Sequence, residues 1–140
     1  MMNENIAQHM RDRPAERVWL VWDGAPRHDF DEVAQEAGLR SLGKAWVEID
    51  ADRAELLLAH ILRTGLANSD EHMPEQRARW LAREFVSSCG SFGTRYATNT
   101  ADVPGGHGWS WTPATDYTFD RGVVILGKSR SACYWVADED

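Results

Sequence analysis

Residues 117–140 read YTFDRGVVILGKSRSACYWVADED, and the fold turns on this stretch. Val123 and Ile125 alternate with Val124 and Leu126. After a polar link of Gly127, Lys128, Ser129 and Arg130, Cys133 and Trp135 alternate with Ala132, Tyr134 and Val136. A strand turns successive side chains to opposite faces, so apolar residues at both parities predict strands covered on both faces. The stretch therefore reads as a hairpin at the centre of a sheet. It closes on Asp138, Glu139 and Asp140, which sets carboxylates at one end of that hairpin.

Working upstream, residues 109–112 (Trp109, Ser110, Trp111 and Thr112) predict a short strand with both indoles on one face. Residues 99–108, with Pro104, Gly105, Gly106 and Gly108, read as a loop of the kind that often carries function. Residues 91–98 alternate Phe92, Thr94, Tyr96 and Thr98 with Gly93, Arg95 and Ala97, a further strand. Before them the apolar period is helical. Pro74 stands at the first position of a helix bearing Ala78, Leu81, Ala82, Phe85 and Cys89 and stopped by Gly90. The Asp52 and Glu55 spacing of a capping box opens a second, with Ala54, Leu57, Leu58, Ile61 and Leu62 ending at Gly65.

Nearer the start, Asp29 and Glu32 open a shorter helix with Phe30, Val33, Ala34 and Ala37 before Gly38. Two strands flank it. Residues 17–23 are apolar at both parities, whereas 45–49 set Ala45, Val47 and Ile49 against Trp46 and Glu48, the pattern of a strand covered on one side or near an edge. Residues 1–14, with Ile6 and Met10 four apart, read as either a short helix or a loosely ordered arm. The order predicts one α+β domain over residues 1–140. Its sheet is mixed or mostly antiparallel, of about six strands, with two or three helices mainly on one face and the C-terminal hairpin central. The expected core is Leu20, Val21, Val47, Leu58, Ile61, Leu81, Phe85, Val124, Ile125 and Trp135.

A formal net charge of −7 argues against nucleic acid, because phosphates need a basic patch. Apolar runs are far shorter than the roughly 20 residues that span a bilayer. The two cysteines, Cys89 and Cys133, follow no secretory leader pattern and read as reduced thiols in a cytoplasmic protein. Neither sits where a thiol is activated, and the histidines His9, His28, His60, His72 and His107 show no metal-ligand spacing. No catalytic residue, metal or cofactor is expected.

What remains is surface. Asp116, Asp120, Asp138, Glu139 and Asp140 border one end of the hairpin, and as a group they are a solvated edge, a cation or acid–base site, or an acidic patch that docks a basic partner. Trp109 and Trp111 follow the glycine loop with no helix predicted to cover them. An aromatic centre within a charged rim is the anatomy of a binding hot spot.

In general character, as a small, acidic, tryptophan-rich α+β chain, the sequence resembles the bacterial immunity proteins that neutralise a cognate toxin. The resemblance implies a non-catalytic inhibitor whose basic protein partner docks on Trp109, Trp111, Asp116, Asp120, Asp138, Glu139 and Asp140. The alternative is a small-molecule-binding or enzymatic domain with a pocket between helices and sheet, gated by residues 99–108, in which Arg95 and His107 are the polar groups. A homodimer that buries the tryptophan face is a third, structural option.

Overall fold

The computed structural model describes residues 4–68, 70–102 and 110–139. In chain order its elements are α1 (Glu4–Arg11), β1 (Arg17–Gly24), α2 (Phe30–Ala37), a 3-10 turn at Gly43–Ala45 and β2 (Val47–Ile49). Then follow α3 (Ala51–Arg63), α4 (Glu75–Ser87), β3 (Arg95–Thr98), β4 (Phe119–Leu126) and β5 (Ser131–Asp138). The strands form one antiparallel sheet in the order β1-β5-β4-β3-β2. The C-terminal hairpin is interior, as its double apolar pattern requires, and all eight residues of β5 are buried. Four helices and five strands, all among the described residues, make this the α+β fold expected.

Strand parity sorts the core into two layers. Val123, Ile125, Ala132, Tyr134 and Val136 face α1, α3 and α4, while Val124, Leu126, Cys133, Trp135 and Ala137 face α2 and the segments around Leu39 and Ala114. The helices are therefore mainly, but not all, on one face. Cys89 joins the first layer and Cys133 the second, so the sheet stands between the two buried free thiols. Of the segment 1–14, the described residues 4–14 take the helical alternative over Glu4–Arg11: Ile6, Ala7 and Met10 of α1 are buried, and the Tyr134 hydroxyl donates to Met10 O at 2.7 Å.

The local signals act as their chemistry demands, with small shifts. Asp29 caps α2, accepting from Glu32 N at 2.9 Å, and Gly38 ends it with φ +95°. At α3 the cap is Asp50, which accepts from Arg53 N, rather than Asp52. Pro74 immediately precedes α4. Of the expected core, Leu58, Ile61, Leu81, Phe85, Val124, Ile125 and Trp135 are buried. Leu20, Val21 and Val47 are only half-buried, because β1 and β2 are the rims of the sheet.

The expected strand at 109–112 is corrected. Trp109 lies outside the described residues, and Ser110, Trp111 and Thr112 carry no strand assignment. Thr112 N donates to Asn99 O at 3.0 Å, but Pro113 follows without an N–H to extend a ladder.

One glycine decides the packing of the second layer. Gly122 pairs with Trp135, and a Cβ there would lie 2.1 Å from Tyr134 O and 2.6 Å from Trp135 Cε3. The missing side chain is the space the indole occupies. Trp135 then meets Trp46 edge to face, ring centres 6.0 Å apart at 88°.

Candidate functional site

The acidic end of the hairpin separates into parts. Asp120 and Asp138 stand on adjacent strands, but parity turns Asp120 toward Trp135 and Asp138 toward Arg13, on opposite faces of the sheet. Both are buried. Asp120 accepts from Asn99 Nδ2 at 3.0 Å, Ala114 N at 3.1 Å, Thr115 N at 3.1 Å, Thr115 Oγ1 at 2.9 Å and Trp135 Nε1 at 3.0 Å. Such a carboxylate is a structural hub with no free face for a partner.

Asp138 is likewise internal. Arg13, 2% exposed, reaches it with two nitrogens at 2.8 and 3.1 Å, and Leu66 N donates to it at 2.6 Å. Asp116 is exposed and ion-paired to Arg40. Glu139 is exposed and accepts from both the backbone N–H and the hydroxyl of Thr118, bonds that hold its carboxyl below the usual range. Trp111 is half-buried and stacks on Phe119, ring centres 5.6 Å apart. Trp109, His107 and Asp140 lie outside the described residues. The four described acids, Asp116, Asp120, Asp138 and Glu139, thus do not converge on one site.

A smaller acidic site replaces them. A depression of about 290 Å³ lies where the start of β1, the end of β5 and the loop between α3 and α4 meet. Glu16, Asp70, Asp138 and Glu139 line it, with His72 and Gly65. The position is fixed by pairing: Glu16 N donates to Ala137 O at 2.9 Å, while Gly65 N donates to Asp70 O at 3.1 Å and His72 N to Arg63 O at 2.6 Å. Burial, then the nearby Arg13 charge, pushes the His72 pKa down, partly offset by Asp138 and Asp70. Sequence spacing gave no hint of Glu16 or Asp70, because three distant segments supply the site.

A second hollow, of about 340 Å³, lies between α3 and the β2 and β3 end of the sheet. Its polar lining includes Arg53, Arg121, Thr98, Thr100 and Asp102 over an apolar floor of Val47, Ile49 and Leu57. Arg121 is buried in β4, and burial brings its pKa down to about 10. Its Nη2 donates to Asp102 O at 2.7 Å. Arg95 does not line this hollow: it grips Glu48 through two nitrogens at 2.9 and 2.7 Å and lies over the Phe30 ring. The one signal for Arg121 was the adjacent Asp120–Arg121 charges inside an apolar strand.

Compared with known protein families, with curated proteins and with solved structures, the chain gives no match. Its chemistry is therefore read from the groups themselves. Burial raises the pKa of both thiols, which keeps them protonated and poor nucleophiles. Among the described residues no three His, Cys, Asp or Glu side chains are gathered as a metal ion would need, and no helix is long and apolar enough to cross a membrane.

Proposed function

We propose that the chain is a non-catalytic protein-binding module of the cytoplasm, an acidic inhibitor of the immunity type that docks a basic protein partner such as a cognate toxin. The observation that carries this reading is the depression in which Glu16, Asp70 and Glu139 gather beside the buried Asp138, with His72 the one basic group among its described lining residues. A surface of one sign focuses the field of a chain already at −7, and such a field speeds encounter with a basic partner.

The test is kinetic. The partner is the product of a toxin-like gene adjoining the coding region or, without one, a basic protein retained by the immobilised chain. Association slows steeply with salt and slows further in Glu16→Lys, Asp70→Lys and Glu139→Lys, while dissociation changes little. An association rate indifferent to salt and to all three reversals overturns the reading.

One observation favours a second reading, a small-molecule-binding or enzymatic domain. The helix–sheet hollow opens beside Thr100, Ala101 and Asp102, at the start of the glycine-rich stretch. In that reading Arg53 and Arg121 take the polar role expected of Arg95 and His107. A metabolite that raises the melting temperature of the wild-type chain but not of Arg53→Ala supports it.

A further inference from the structure

Among the described residues three large apolar side chains stand exposed: Leu56, Trp80 and Phe92, at 64, 46 and 84%. Phe92 is covered on one face by Lys128, whose ammonium lies 4.8 Å from the ring centre. Leu56 and Trp80 are different. They sit on the outward sides of α3 and α4, the two helices that pack side by side over the sheet and enclose a groove of about 700 Å³. Leu56, Ala59 and Ala78 give that groove an apolar floor. Leu56 and Trp80 thus share the outward side of one helical layer with that apolar floor, which gives the layer apolar surface that a second molecule can cover.

Charge identifies the molecule. The chain as a whole stands at −7, yet α3 and α4 together carry four acidic and five basic side chains. The excess of negative charge lies elsewhere. On this face two copies of so acidic a chain approach with least repulsion. The face is also patterned: Glu55 of α3 lies against Arg83 of α4, Nε to Oε1 at 3.5 Å, and Arg63 of α3 against Glu75 of α4 at 3.9 Å. These pairs fix which residues of the antiparallel helices stand at the same level.

A two-fold axis along the groove lays α3 of one protomer over α4 of the other without changing that level. Glu55 then faces the partner's Arg83, Arg63 faces the partner's Glu75, and Leu56 falls within a turn of the partner's Trp80. Each contact occurs twice, as a closed two-fold interface requires. A two-fold across the helices sets α4 on α4 instead, where Arg77, Arg79 and Arg83 oppose their own copies. We infer that the α3–α4 face is a self-complementary interface and that a second copy of this chain seats on it through Leu56, Trp80 and the crossed pairs Glu55 with Arg83 and Arg63 with Glu75.

The test is the mass of the full chain by sedimentation velocity over a concentration series. The wild type runs as a dimer that dissociates on dilution. Leu56→Asp runs as a monomer with unchanged circular dichroism, since an exposed side chain contributes little to the fold. Glu55→Arg alone and Arg83→Glu alone also lose the dimer. Mixed in equal amounts they regain it, because each half of the interface then joins opposite charges; repair within one chain cannot follow from mixing. A wild type that stays monomeric throughout overturns the proposal. So does a dimer that survives Leu56→Asp, or a mixture of the two charge variants that stays monomeric.

Discussion

Arg13 and Asp138, 125 positions apart, meet in a two-pronged, largely buried ion pair. Arg13 also donates to Ile61 O at 2.7 Å and Thr64 O at 2.8 Å, so one guanidinium ties the N-terminal segment, the end of α3 and the last strand together. Breaking a buried pair from one side strands the other charge, a loss of about 3–5 kcal/mol. Asp138→Ala therefore lowers the urea midpoint sharply. Glu139→Ala, one residue on and exposed, leaves it near the wild-type value.

Asp120→Asn is nearly isosteric yet replaces one acceptor oxygen with an NH2. The oxygens at this site accept from Ala114, Thr115, Asn99 and Trp135, so the amide brings donor against donor. Each buried donor left without an acceptor costs about 1–3 kcal/mol. The expected result is a lower thermal midpoint with a changed near-ultraviolet spectrum of Trp135.

Gly122→Ala tests the sheet's closest approach. The new methyl would meet backbone and indole rather than a flexible side-chain end, so strands β4 and β5 must part or Trp135 must move. Overpacking of this kind costs typically about 1–3 kcal/mol and occasionally more. Gly43→Ala is the control for the glycine change itself, since its Cβ would meet nothing within 4 Å, though its φ of +54° adds a local backbone cost. Soluble yield and chemical denaturation distinguish the two, with Gly122→Ala the more damaged.

Stability should fall on acidification in two separate windows. Burial, then the Arg121 and Arg63 charges, lowers the His60 pKa from 6.5, and burial lowers that of His72. The unfolded chain therefore takes up these protons first. Stability is full above about pH 6.5 and declines below it until the folded-state values are passed. In the His60→Gln, His72→Gln double variant this decline is flattened. Asp31 acts lower: hydrogen bonds from Trp46 Nε1 and Gly43 N hold its carboxyl below 3.8, so its contribution persists above that value and is lost as pH falls through the folded one. Denaturation midpoints of wild type, the double variant and Asp31→Asn across pH separate the windows.

The sequence made local features plain wherever one periodicity governed them. Both parities of 123–126 and 132–136 announced an interior hairpin, and the helical stripes of α3 and α4 announced the layer above it. Register was what spacing did not reveal. Asp120 and Asp138 look like neighbours on a common edge until β4 pairs with β5 and parity sends them to opposite faces. Arg13 carried no periodic signal, since its partners lie at positions 61, 64 and 138. Glu16 and Asp70 join Glu139 only through the meeting of three segments that share no local pattern.

The hydrogen bonds around Asn99 carry a consequence for how this chain can vary. Asn99 and Thr112 bond to each other in both directions, Thr100 Oγ1 donates to Ser110 O, and Ser110 N donates to Asp102 Oδ2. Residues 99–102 are thus fastened to residues 110–112 by four hydrogen bonds. Asn99, Thr100 and Asp102 enter them through side-chain atoms, whereas Ser110 and Thr112 enter them through backbone atoms alone. As far as these bonds go, descendants of this sequence are least free at Asn99, Thr100 and Asp102, while Ser110 and Thr112 can change identity and leave the same bonds to be made.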